Sequence, residues 1–476
     1  MERGTVLDIR DADQWAAATF GTAELGDPRR TRRLMKLAGQ LARATGSSFA
    51  AGCGTSRAAQ EGAYRFARNT NIKAKAIAEA GFAHTVKQCA NIKTLLAIED
   101  STTLSYGHGA AEQLGDLGGK KDSTSRGFWV HSVLMVDAHD QTTVGLVYQE
   151  RWMREPRIRN KGQRRERRYE NKESFKWQQA SQELSARFGV DGMNRVVSVC
   201  DREADIYQYL AYKIGKRERF VIRACCDRNV MGTDNNELKS HLFVKLNHAP
   251  CGGTVMVNIP QRGGRVARNA KLTLRTTQVH LERPKNADSN CPMILSVNVV
   301  LAREETPPRD VERLEWMLLT REPINTGKDM ERVLRWYALR WRIEVFHKAW
   351  KSGAGVERLR MQSAGSLERI AVLHAFTAVR LMQLREMFEN KSDVPCDQIL
   401  DAAEWKMLWI SVERTRPPQK CPTGKWAYHA LGRLAGWTDT KRTGIVGWDT
   451  LWAGWLRLHE RMDAHLTMRK LEQEDL

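Results

Sequence analysis

No run of about eighteen apolar residues occurs in the chain, and its opening, MERGTVLDIRDADQ, lacks the apolar core of a signal peptide. A membrane span and secretion are therefore not indicated, and the expected location is the cytoplasm. Cysteine occurs nine times but never with C-x-x-C spacing. That odd count argues against a disulfide framework or a zinc module and fits free thiols in a reducing compartment. There is no Walker loop and no strand-G-x-G-x-x-G-helix unit, so nucleotide-driven chemistry is not indicated. Acidic residues are in short supply. Asp and Glu number 56 against 76 Lys and Arg, a net charge of +20 with a pI near 9.7. Such an imbalance fits a polyanionic partner, nucleic acid first and an acidic membrane surface second, better than a small neutral substrate.

What is present comes in blocks. At 476 residues the chain exceeds one small core and divides into two or three domains. The first seventy residues read as helical and basic. Asp27-Pro28 supplies an N-cap with proline at the first helical position, and the following helix should stop near Gly46. Arg29, Arg30, Arg32 and Arg33 crowd its first turn. A second helix starts after Thr55-Ser56 and sets Arg65 and Arg68 beside Tyr64. Either cluster alone is equally a solvated charged face; two in succession favour a DNA-binding module.

From residue 93 the pattern changes. KTLLAIED, FWVHSVLMVD and TVGLVYQE are apolar runs of strand length. The basic stretch 151–177 is either a surface loop or a patch that tracks a DNA strand. A helix near 178–187, the strand VVSVCD, a helix over 202–214 and the strand RFVIRA then suggest a sheet with helical crossovers. Residues 227–325 read as all strand, with nothing helical before Pro323, and helices run from there to the end. Leu451, Trp455, Leu458 and Met462 recur at helical spacing, for a core or for an oligomer contact.

Tyr337 to Lys351, YALRWRIEVFHKAWK, contains no Pro or Gly and reads as one helix. At about 100° per residue, Tyr337, Arg340, Glu344, Lys348 and Lys351 share roughly a quarter of its wheel. Leu339, Ile343, Phe346 and Trp350 form the apolar face. One carboxylate in a row of cations and a phenol suits the joint holding of a metal and a phosphate. Asp100 ends one strand and Asp201 another, so with Glu344 three carboxylates can converge at a sheet edge, where oxygen ligands hold hard cations. Spacing alone does not separate a metal ligand from a turn cap, and Asp137, Glu203 and Asp205 are rival positions.

Motifs carry the reading further. Tyr337, Arg340, Glu344 and Lys351 fit a Y-(2)-R-(3)-E-(6)-K signature without a gap. GDPRRTRRL, EGAYRF, LLAIEDSTTLSY, SRGFWVHSVL, VCDREADIY, RFVIR and KRTGIVGW occur in order around it. In these the chain resembles the DDE transposases of bacterial insertion sequences, over nearly its whole length and thinly in 151–177, 227–265 and 390–421. The resemblance implies an α/β fold: a ribonuclease H-like catalytic core with an inserted antiparallel β subdomain, flanked by N-terminal and C-terminal α-helical domains. It divides the chain into an end-binding domain (1–70), a catalytic domain (71–370, insertion at 227–325) and a dimerisation domain (371–476).

By the same resemblance Asp100, Asp201 and Glu344 are the catalytic and metal-binding triad, holding two Mg2+ for which Mn2+ can substitute. Tyr337, Arg340 and Lys351 grip phosphates, Trp316 stacks on a flipped base, Arg223 is a basic residue near the active site, and Arg30 and Arg33 contact the terminal repeat. Arg65 and Lys348 join the DNA-contacting set by their places on the helices. The implied partners are double-stranded DNA, as transposon ends and as target, and a second copy of the chain in a synaptic homodimer. Neither a membrane nor a nucleotide cofactor is expected. The implied reaction nicks the 3' strand, forms and opens a hairpin, and joins the 3' ends to target DNA. Val345 stands where an acidic residue is found in a relative, Cys225-Cys226 has no assignable role, and His347 suits a packing or phosphate neighbour. The competing readings are a sequence-tolerant nuclease of ribonuclease H type and a protein that occupies DNA ends without cutting them.

Overall fold

The computed structural model describes residues 9–54, 56–118, 125–154, 168–231, 240–259, 267–390, 393–440 and 446–474. Among the described residues the first named helices are α1 (Ala12–Phe20), α2 (Pro28–Arg43), α3 (Phe49–Gly52), α4 (Arg57–Arg68) and α5 (Ala74–Gln88). The strands are β1 (Leu95–Tyr106), β2 (Gly115–Asp116), β3 (Arg126–Asp137), β4 (Thr143–Trp152), β5 (Val196–Cys200), β6 (Arg219–Arg223), β7 (Asn229–Met231), β8 (Ser240–His241), β9 (Cys251–Ile259), β10 (Arg268–Glu282), β11 (Ile294–Glu304) and β12 (Glu315–Thr320). Between them lie α6 (Lys176–Met193), α7 (Tyr207–Gly215) and α8 (Leu242–Asn247). After them come α9 (Gly327–Ala338), α10 (Trp341–Lys348), α11 (Ala364–Asn390), α12 (Ala402–Glu413), α13 (Gly424–Leu434) and α14 (Trp448–Glu474).

All twelve strands belong to one open, mixed sheet. β1, β5 and β6 run parallel at its centre, β3 and β4 lie antiparallel on one flank, and β12, β11 and β10 lie antiparallel on the other. Every residue of β5, VVSVC, is buried, as a central parallel strand covered on both faces requires. Local chemistry sets the first helices. The Asp27 carboxylate accepts the Arg29 N–H with Pro28 opening α2, Ser56 caps α4, and Gly46 takes a φ of +88° just past the end of α2.

Two sequence expectations about helices need correction. Residues 227–325 are not free of helix: in α8, Leu242 and Leu246 stand four apart and are both buried, a pair too short to tell from strand by its pattern. The antiparallel strands of this stretch continue the central sheet, because β12 pairs with β6.

The second correction concerns 337–351, which is not one helix. α9 stops at Ala338, and the Arg340 and Arg342 N–H groups bond carbonyls three residues back at 3.0 and 2.9 Å, tightening the turn. After α10 a π turn covers Ala349–Gly353, where the Ala354 N–H reaches back five residues to Ala349 at 2.7 Å. Tyr337, which the single wheel left outward, is buried on α9, while Glu344 on α10 stays partly exposed.

α11 runs through the centre of the helical half and is buried along most of its length. Gly81 of α5 has no room for a side chain, since a Cβ there would lie 2.2 Å from the Phe376 ring of α11. Two arginines of α11 reach back across the chain. Arg369 donates to the carbonyls of Ile72 (2.6 Å) and Ala67 (2.8 Å), and Arg380 to those of Ile9 (2.9 Å), Arg10 (3.0 Å) and Ala42 (3.2 Å). Burial lowers the Arg380 pKa to about 10. Leu451, Trp455 and Leu458 of α14 are buried in this chain's own core, whereas Leu466, Met468 and Leu471 further along are about half exposed. No helix among the described residues is long and apolar enough to cross a membrane.

Candidate active site

The parallel register of β1 on β5 runs from Leu95 opposite Val196 to Ile98 opposite Val199, and two more residues bring Asp100 level with Asp201. The β5–β6 register, Cys200 opposite Ile222, brings Arg223 level with Asp201 in turn. Ile98, Val199 and Val221, two residues before these three, all bury into the large core shared with α9, α10 and α11, so the three polar side chains start from that same face. Crevices at the carboxyl ends of parallel strands are the usual ligand sites of such sheets. Asp100 does not end β1, as its sequence suggested. It sits mid-strand, where β1 parts from β5 but remains paired to β3 through Ser132.

α10 lays Glu344 over this row. The Arg340 guanidinium spans the gap, donating to Glu344 Oε1 at 2.6 Å and to Asp100 Oδ2 at 3.4 Å. Burial, then the negative charge of Asp201, pushes the Asp100 carboxyl up to about 6; Glu344 adds to the rise, while the Ser101 N–H and Arg340 oppose it. Burial works against the Arg340 charge, but the bond to Glu344 and the Tyr337 and Asp100 oxygens outweigh it and hold its proton more firmly. The cluster thus carries more negative charge than its arginine offsets. Its donors are all oxygens, which suits a hard divalent cation. The guanidinium already occupies a cation's place between two of them, and the three carboxylates are not gathered within 4.8 Å of one another.

A second layer adjoins the acids. The Tyr337 ring meets Trp316 edge to face at 5.7 Å. Burial raises the pKa of the Tyr337 phenol, against the pull of Arg340 and of Arg223, which also hydrogen-bonds it. Arg223 donates to the Glu315 carbonyl at 3.1 Å. Trp316 is partly exposed and lines a cleft of about 1140 Å3 with Arg202, Arg223, Arg268 and Arg313. Lys348 is exposed on α10. Lys351 lies in the π turn, 3.9 Å from Glu357, whose Oε1 accepts the Ser105 N–H of β1 at 2.9 Å. His347 is buried, and burial together with the Lys351 charge drives its pKa down to about 3, so it packs as a neutral ring.

The rival carboxylates are engaged elsewhere. Asp137 accepts the backbone N–H groups of His139 and Asp140 in a turn, and Glu203 is paired with Lys176 at 3.2 Å. Asp205 has a fully buried side chain. It accepts the N–H groups of Cys225 and Cys226 on Oδ2, and Arg228 on Oδ1 at 2.6 Å. Asp201 caps a turn as well, taking the Glu203 N–H at 2.9 Å.

Some supporting residues gave no sequence signal. On the opposite face of the sheet Ser101 is hydrogen-bonded to His131 Nδ1 at 3.0 Å, and His131 Nε2 lies 3.5 Å from buried Glu99. Burial lowers the His131 pKa. Arg342, two residues before Glu344, pairs with Glu386 of α11, which also accepts the Thr143 N–H at 2.7 Å and hydroxyl at 2.6 Å. Glu386 lies between buried Leu384 and Phe388, and a lone acid in such a run was the available clue.

The helical module keeps its own arginines apart from this cluster. Arg30 donates to the Leu25 carbonyl at 2.9 Å and Arg33 to that of Ala59 at 2.7 Å, so both are drawn partly inward. Arg65 is exposed beside Glu61 at 3.2 Å, and Arg29 and Arg32 are exposed. Of the basic stretch 151–177, residues 155–167 lie outside the described residues. Residues 12–72 match the family model described as transposase DNA-binding. The match supports a DNA-binding transposase, with double-stranded DNA as its partner.

Proposed function

We propose that the chain is a DDE transposase with a ribonuclease H-like core and the Y-R-E-K signature, similar to the cut-and-paste transposase of the composite kanamycin-resistance transposon. It binds terminal inverted repeats, synapses two ends as a dimer, excises by nicking and a hairpin, and joins the 3' ends to target DNA. The observation that carries this reading is that Arg340 donates to both Asp100 and Glu344 while Asp201 lies level with Asp100 on the neighbouring strand. Strands far apart in sequence and a later helix supply an acid surplus that a structural ion pair would not need.

In this reading Asp100, Asp201 and Glu344 hold two Mg2+, or Mn2+. When bound, the ions activate the attacking water or 3'-hydroxyl and stabilise the leaving oxygen. Arg340 releases the carboxylates and takes a phosphate oxygen of the cleaved strand, a bidentate partner for its planar fork. The Tyr337 hydroxyl, Lys348 and Lys351 hold neighbouring phosphates. Trp316, braced by Tyr337 along one edge, offers its partly exposed ring to an extruded base. Arg223 keeps the backbone beside it. Arg30, Arg33 and Arg65 belong to the module that reads the end, and the half-exposed end of α14 is the surface available for the second copy.

The test is cleavage of a DNA fragment bearing the terminal repeat that flanks the coding region, with Mg2+ present. Wild-type protein should nick and form hairpins. Asp201→Asn and Glu344→Gln should bind the same fragment and leave it whole. Undiminished cleavage by either variant would refute the triad.

A further inference from the structure

The segment leaving β6 carries Cys225 and Cys226, two exposed thiols for which the phosphate chemistry has no use. Their sulfurs lie 3.6 Å apart. Two metal–sulfur bonds of about 2.3 Å at a near-tetrahedral angle hold sulfurs about 3.7 Å apart, so the pair already has the span of one bound ion. A disulfide would instead require closure to about 2.05 Å within the small ring made by adjacent residues. With a carboxylate oxygen of Asp205, the two sulfurs are, among the described residues, the ligand group whose atoms all lie within 4.8 Å of one another.

The backbone holds that span. The N–H groups of Cys225 and Cys226 donate to Asp205 Oδ2 at 2.8 and 2.9 Å, and the Arg228 guanidinium donates to Oδ1 at 3.2 and 2.6 Å. Four donors fill the lone pairs of a carboxylate, so Asp205 is the scaffold and the sulfurs are the ligands. The Cys225 thiol donates to the Arg202 carbonyl at 3.3 Å, a weak bond that is easily given up. Thiolates favour soft and borderline ions over Mg2+.

We propose that Cys225 and Cys226 form a chelating site for one thiophilic divalent cation of the zinc or cadmium class, separate from the oxygen-lined carboxylates. Binding releases both thiol protons to solvent and forms two metal–thiolate bonds; water completes the shell, and no electron is transferred. The ion lies against the turn that begins at Asp201.

The test uses the full chain, kept reduced by a phosphine, and cadmium chloride alone, read by the ultraviolet thiolate-to-cadmium charge-transfer band. One equivalent should saturate the band, and excess Mg2+ should not displace it. The Cys225→Ser/Cys226→Ser variant keeps both backbone N–H donors and should melt at the wild-type temperature, with affinity reduced more than tenfold. Cys251→Ser should leave the band intact, as should Cys421→Ser, which breaks the other close thiol pair, Cys396 and Cys421, 3.5 Å apart. The proposal is overturned by absence of the band, by its survival in the double variant, or by its loss in Cys421→Ser.

Discussion

Asp201 and Asp205 stand four residues apart on one short turn, yet their surroundings differ in kind. Asp205 is fully buried and matched, with two backbone N–H groups on one oxygen and the whole of Arg228 on the other. Asp201 is partly exposed and lies level with Asp100, whose carboxylate, with that of Glu344, takes the Arg340 guanidinium. The matched acid leaves nothing for a ligand to add. In the unmatched set burial first, and then the repulsion of Asp201 and Glu344, raises the Asp100 carboxyl to about 6. Under the proposed function, acid surplus rather than acid count is what separates the candidate site from a structural ion pair.

Four measurements can break or sharpen this contrast. The largest effect is expected on the unmatched side. Glu344→Gln should lower strand cleavage by about a thousandfold or more, on the order of 4 kcal/mol in the barrier, with DNA-end binding kept in a gel-shift assay. On the matched side Asp205→Ala should cost about 3–5 kcal/mol of stability, since it strands a buried guanidinium. Urea unfolding checks this, and a cost below 1 kcal/mol would undo the distinction.

The third effect has the opposite sign. The folded state binds the Asp100 proton more tightly than the unfolded chain does, so stability falls as pH rises from about 4 to about 6 and stays lowered above. Asp100→Asn should therefore stabilise the metal-free protein by about 1–3 kcal/mol above pH 6, and by nothing below about pH 4. Thermal melts in a chelator test it, and a destabilised variant at pH 7.5 would count against it. The smallest effect lies in the helical module. Arg32→Ala, at an exposed position, should reduce the salt slope of DNA binding by about one phosphate contact.

Much of this was written in local chemistry. Asp27-Pro28 and Ser56 mark the helix starts they occupy, and the apolar runs before Asp100 and Asp201 are strands. What the sequence withheld depends on partners distant along the chain. Nothing in YALRWRIEVFHKAWK announces a break, and nothing in it shows that Tyr337 will meet Trp316 of β12. Asp205 looked as eligible as Asp201 until Arg228 closed on it from 23 residues further on. Arg30 and Arg33 read like Arg29 and Arg32, but the loop and helix packed around them claim their guanidinium groups.

The two clasping arginines of α11 bear on what counts as a part. Arg380 bonds to carbonyls 338 to 371 residues earlier, and Arg369 to carbonyls about as remote. On the ribosome the first helices emerge long before the residues that fasten their ends exist, and must wait with those carbonyls open to water. The matched segment 12–72 is thus fastened to α11 at Ala42, Ala67 and Ile72. An excised copy of it would lose those bonds and leave the three carbonyls to water.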